Sequence, residues 1–125
     1  DITWIENSIS DIDSKYLNTL NINIIIHLAE ITLIDELINK IDNISRIIAF
    51  SSTSAITKKD SKNIEDKQLS MDLLNGENNF IKSCNKYNIN WTIFRPTLIY
   101  GANLDENITF ISDFINKYHF FPILG

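Results

Sequence analysis

The chain has 125 residues, 44% hydrophobic and 22% charged, a balance suited to one small folded domain with a single core. Its net charge is −5 and no basic run exceeds Lys58-Lys59, so the basic face that nucleic acid requires is absent. One cysteine, Cys84, rules out an intramolecular disulfide, and apolar runs such as Ile24-Ile25-Ile26 are far too short to span a bilayer. With no signal peptide apparent, a cytoplasmic protein without a membrane partner is expected.

In chain order, the segment before Leu20 predicts a strand end at Trp4-Ile5 and a short helix around Lys15 to Leu20. Between Asn21 and Leu28 lies a β-branched run with no helical period, the pattern of a strand buried on both faces of a parallel sheet. Ile34, Leu37, Ile38 and Ile41 then recur at helical spacing, with Thr32 and Asp35 placed as a capping box. Arg46 to Phe50 reads as a second strand, followed by Ser51-Ser52-Thr53-Ser54. The polar stretch from Thr57 to Lys67 reads as a loop entering a helix over Ile64 to Lys86, with Leu69, Leu73, Phe80, Ile81 and Cys84 on its inner face. Gly76 costs that helix about 1 kcal/mol relative to Ala, so a close contact is expected there. Asn88 stands where a C-cap takes the left-handed conformation. Trp91 to Phe94 predicts a third strand, stopped by Arg95-Pro96 because proline cannot donate to a central ladder. After a turn at Tyr100-Gly101, a last helix carries Ile108, Ile111, Phe114 and Ile115 on one side.

The order β-α-β-α-β-α calls for a parallel sheet with helical crossovers, and residues 1–125 read as one domain without repeats. In such sheets ligands sit at the carboxyl ends of the strands. Those ends are His27 to Glu30, Ser51 to Ser54 and Pro96 to Leu98.

Three segments carry a family resemblance. IIIHLAE (Ile24 to Glu30), RIIAFSSTS (Arg46 to Ser54) and WTIFRPTLIYG (Trp91 to Gly101) resemble successive strand ends of the extended short-chain dehydrogenases, the NAD(P)-dependent epimerase/dehydratase family. Each alone is weak; three in order, each at a predicted strand end, are fairly specific, and the spacing of Glu77 and Arg95 also fits. The resemblance implies an α/β fold, a partial doubly wound, three-layer Rossmann-like sheet. It implies NAD or NADP across the strand ends and a nucleotide-sugar-like ligand. Leu28, Ala29 and Glu30 would lie beneath the cofactor and Ser51 would meet its nicotinamide half. Thr53 would be the catalytic hydroxyl that polarises the reacting carbonyl or alcohol, and Pro96, Thr97 and Leu98 would wall the site. A homodimer through the Ile64 to Lys86 helix is a candidate by the same analogy.

The chain departs from the family in several places. Its glycines are Gly76, Gly101 and Gly125, so the glycine-rich βαβ turn that cradles a pyrophosphate is missing; the expectation is a piece from the later part of such a domain. Four residues after Tyr16, Tyr87, Tyr100 and Tyr118 stand Leu20, Trp91, Leu104 and Pro122, so there is no Tyr one turn from a Lys to lower its pKa. Leu69 and Leu73 occupy those two positions. Ser8-Ile9 stands where the family commonly has an adenine-binding Asp, and the segments Ala29 to Arg46 and Thr53 to Leu69 are short. The reading is an NAD(P)-binding epimerase/dehydratase-like protein without Tyr-Lys catalysis. The alternative is a non-catalytic Rossmann module serving as a subunit or sensor, or a decayed product.

Single residues have blander readings too. A Ser/Thr after a strand, such as Thr53, often caps a turn. His27 inside a buried strand is expected to make a structural hydrogen bond. Glu77 is expected to be solvated or paired with a neighbouring lysine, and Cys84 to pack. His27, His119 and one cysteine are too few for a structural zinc site.

Overall fold

The three short apolar runs become three parallel strands: β1 over Ile24–His27, β2 over Arg46–Phe50 and β3 over Asn90–Phe94. They lie in a computed structural model that describes residues 4–97, 99 and 106–120. The sheet is open and its order is β1-β2-β3, with Ile25, Ile47 and Trp91 in one row of the register and His27, Ala49 and Ile93 in another. Around it come α1 (Ser14–Thr19), a 3₁₀ turn (Ile31–Leu33), α2 (Ile34–Ile38), α3 (Ser54–Thr57), α4 (Ile64–Lys86) and α5 (Glu106–Tyr118). The chain is therefore α/β with a parallel sheet, and among the described residues no helix is long and apolar enough to cross a membrane.

Side chains alternate across a strand, so each row of the register faces one way. Ile25, His27, Ile47 and Ala49 face a core closed by Ile34 and Ile38 of α2 and by Phe80 and Cys84 of α4, with Leu17 of α1 joining it. Phe80 meets Trp91 edge to face, with ring centroids 6.3 Å apart. The opposite face is another matter. Ile24 and Ile26 are 58% and 63% exposed and Phe94 also stays open, with Phe50 its ring neighbour at 5.4 Å. The double-sided burial expected for β1 is thus corrected: the apolar run does form a strand, but whether both faces are covered depends on which helices reach them.

Helix ends show where local signals worked. Asp13 caps α1 by accepting from the Lys15 amide, and Asn63 caps α4 by accepting from the Glu65 and Asp66 amides. Asn88 has φ 57°, as a left-handed C-cap requires, and lets the Ile89 amide return to the Cys84 carbonyl at 2.8 Å. Gly76 packs under the 3₁₀ turn, where an added Cβ would stand 2.8 Å from Ile31 Cγ2.

Other expectations fail for identifiable reasons. Trp4-Ile5 is not a strand and both residues are exposed. The capping box does not form. The 3₁₀ turn takes Thr32 into the helical path before α2 begins, so its hydroxyl donates instead to Glu30 Oε1 at 2.9 Å, and α2 has no side-chain cap. The loop after Thr57 and the helix start at Ile64 are as expected, but a short α3 not foreseen precedes the loop, held by the Ser70 hydroxyl donating to the Ala55 carbonyl at 2.7 Å, with Lys58 after it paired with Asp66 at 2.7 Å. α4 is turned from the face expected of it. Its inner line is Ser70, Gly76, Glu77, Phe80 and Cys84, while Leu69 is 43% exposed and Leu73 only half-buried.

Candidate functional site

The carboxyl ends of β2 and β3 stay joined beyond the strands. The Ser51 amide donates to the Phe94 carbonyl at 2.8 Å, and the Thr53 amide donates to the Pro96 carbonyl at 3.2 Å. Thr53 Oγ1 also reaches the Pro96 carbonyl, at 3.4 Å. Parallel pairing therefore carries the Ser51–Thr53 turn alongside Arg95-Pro96. The chain then enters α3, where the Thr53 carbonyl accepts from the Thr57 amide at 3.0 Å.

Behind this turn lies a charged pair. Arg95 grips Glu77 through one edge of its guanidinium, Nε donating to Oε1 at 2.8 Å and Nη2 to Oε2. Glu77 is only 2% exposed, which corrects the expectation of a solvated or lysine-paired side chain. A helix-borne carboxylate 18 residues from its partner leaves no local trace in sequence; only the 70, 77, 84 spacing, which places Glu77 on the line of the buried Ser70 and Cys84, hints at it. Burial opposes ionisation of Glu77, but the hydrogen bonds from Arg95 and Ser51 and the Arg95 charge outweigh it and hold its carboxyl below the ordinary value of 4.5. Ser51 Oγ is buried and satisfies no hydrogen-bond geometry as placed. A hydroxyl proton rotates to suit, so the adjoining Glu77 carboxylate is the acceptor it can serve.

The end of β1 is built separately. His27 is buried and its Nε2 meets the Glu30 carbonyl at 3.0 Å, the structural hydrogen bond expected of it. Leu28, Ala29 and Glu30 beyond it are exposed, as is Thr97; Ser51, Thr53 and Pro96 are half-buried. Leu98, Tyr100 and Gly101 lie outside the described residues. The structure thus brings Ser51, Thr53 and Pro96 into one hydrogen-bonded unit.

Chemically, this unit offers hydroxyl groups and a proline-bordered wall. Among the described residues no group of three or more His, Cys, Asp or Glu side chains could hold a metal ion. Clefts of about 320 and 310 Å³, one bordered by Ile41, Asn43, Ile44 and Tyr87 and the other by Asn18, Asn21 and Asp42, open at the amino ends of the strands, away from this unit.

Cys84 takes no part. It is fully buried, and burial, with the nearby Asp35 charge second, pushes its thiol up to about 11. The thiolate is the reactive form. A disulfide reagent at pH 7.5 should therefore leave the native chain unlabelled and label it stoichiometrically in urea; rapid labelling of the folded chain would contradict this packing.

Comparison of the chain with protein-family models, with curated proteins and with solved structures gave no match.

Proposed function

We propose that this chain is an NAD(P)-binding, epimerase/dehydratase-like module with a partial doubly wound Rossmann sheet, one that holds the nicotinamide side of a dinucleotide and lacks Tyr-Lys proton transfer. The observation that carries the reading is the joining of Ser51–Thr53 to Arg95-Pro96 at the carboxyl ends of two adjacent parallel strands, where ligands of open α/β sheets bind. The residues fit one half of the cofactor only. Ser51 keeps a buried hydroxyl beside the Glu77 carboxylate, and Thr53 holds its hydroxyl beside Pro96. A pyrophosphate cradle needs closely spaced glycines, which this chain does not have.

In this reading Pro96, Thr97 and Leu98 wall the nicotinamide, Leu28, Ala29 and Glu30 underlie the rest, and Thr53 polarises the ligand's carbonyl or alcohol. When bound, the cofactor supplies the hydride chemistry. The ligand class is nucleotide-sugar-like, the setting a reducing cytoplasm that suits one buried thiol, and α4 the candidate homodimer contact.

The test is calorimetry of the chain with the oxidised and reduced forms of NAD and NADP. Binding is expected with Kd of roughly a millimolar, about −4 kcal/mol, since half of the usual contacts are missing. Ser51→Ala with Thr53→Ala should remove it. A second reading, a non-catalytic Rossmann module serving as a subunit, is favoured by the open sheet face at Ile24, Ile26 and Phe94. Absence of heat with all four nucleotides would overturn the cofactor reading in favour of this one.

A further inference from the structure

Residues 4–12 form neither helix nor strand. Within the segment the hydrogen bonds are local: the Asp11 amide donates to the Ser8 carbonyl at 3.1 Å, and the Ser8 and Ser10 hydroxyls meet at 2.8 Å. Every described hydrogen bond from the segment to the rest of the molecule ends on one side chain. Lys40 Nζ donates to the carbonyls of Ile9 at 2.6 Å, Ser10 at 2.8 Å and, more weakly, Ile12 at 3.5 Å. Glu36 adds a carboxylate at 3.2 Å. An ammonium has three N–H donors and no acceptor, so this cluster uses Lys40 to capacity. The partners are some thirty residues apart in sequence, the separations being 31, 30 and 28.

The next stretch of chain is anchored differently. Leu17 of α1 is buried in the core, and Asn18 both donates to the Lys40 carbonyl at 3.4 Å and accepts from the Asp42 amide at 2.8 Å. None of those ties needs the Lys40 charge. Ile12 is partly buried against the core and Ile9 is half-buried, while the other described residues of the segment are exposed. A segment with few buried contacts and one polar tie opens at low free energy, independently of the core.

We propose that Lys40 is the latch of an N-terminal strap, residues 4–12, and that removing its charge frees the strap as a unit while the sheet and α4 stay folded. The latch works because charge-assisted hydrogen bonds to backbone carbonyls are about twice as strong as neutral ones. Glu36 is dispensable, since an exposed i,i+4 ion pair contributes little.

Amide hydrogen exchange on the whole chain tests this. In Lys40→Met the Asp11 amide, the one in the strap that donates a described hydrogen bond, should exchange at least about tenfold faster, with β2 and α4 unchanged. Lys40→Arg, which keeps the charge and donors, should retain most of the protection, and Glu36→Gln all of it. Unchanged exchange in Lys40→Met, or an equal rise across β2, overturns the latch. A readout free of substitutions is acylation of the native chain by an amine-reactive reagent. Lys40 should react roughly tenfold more slowly than the exposed Lys15, Lys59 and Lys62; equal rates overturn the proposal.

Discussion

Arg95→Ala is expected to lower the unfolding free energy by about 2–3 kcal/mol, a large share of the stability of a domain this size. Removing one partner of a buried ion pair costs roughly 3–5 kcal/mol, because the remaining charge has neither water nor a counter-ion. Here the figure is discounted, since the Arg95 side chain is 37% exposed and water screens part of the interaction. The Glu77 side chain is 3% exposed, so it bears the penalty when its partner goes. Replacing both, Glu77→Leu with Arg95→Met, should recover most of the loss, because an apolar pair carries no desolvation cost. Urea unfolding of the two variants decides it: an Arg95→Ala change within about 0.5 kcal/mol of the parent would mean the pair is ornamental.

The same pair sets an acid dependence whose sign follows from its cause. Burial works against the Glu77 carboxylate, but Arg95 and Ser51 together hold its folded pKa below 4.5. Between the two values the unfolded chain binds the extra proton, so protons favour unfolding there. The contribution is complete above 4.5 and is lost as pH falls through the lower folded value. Glu77→Gln should therefore be less stable than the parent at pH 7 and show a shallower loss below pH 4.5; parallel curves would assign the acid sensitivity elsewhere.

Gly76→Val is expected to cost several kcal/mol, and even Gly76→Ala to destabilise by about 1–2 kcal/mol despite the helix-propensity gain of about 1 kcal/mol. The reason is contact. A Cβ would stand 2.8 Å from Ile31 Cγ2, 3.2 Å from Thr32 Cγ2 and 3.6 Å from the Thr32 backbone nitrogen. Ile31 is buried and branched at Cβ, so its methyl cannot swing away, and relief requires α4 and the 3₁₀ turn to separate. That would disturb the start of α2, which follows the turn directly. If thermal unfolding showed Gly76→Ala to be stabilised, the two elements would have to yield more readily than this packing allows.

How much of this was legible in the sequence depended on the reach of each signal. Three apolar runs, their alternation with helices and the long helix ending before Asn88 could be read from the chain because each rests on neighbours within a turn or two, and a glycine inside a helix signalled the close approach at Gly76 without naming Ile31 as its partner. The sequence also shows directly that no Tyr stands four residues before a Lys and that Gly76, Gly101 and Gly125 lie far apart. The tertiary structure decided the rest. It left Ile24 and Ile26 open because covering a strand face takes a helix from elsewhere, and it turned α4 so that Ser70 and Glu77 face inward where Leu69 and Leu73 were expected. It drew the Thr32 hydroxyl to Glu30 once a 3₁₀ turn preceded α2. It joined Thr53 to Pro96, 43 residues away, and Lys40 to Ile9, 31 away. Polar partners at such separations are found only when the chain has folded back, since nothing in a side chain's local sequence marks which distant group will satisfy it in the low-dielectric interior.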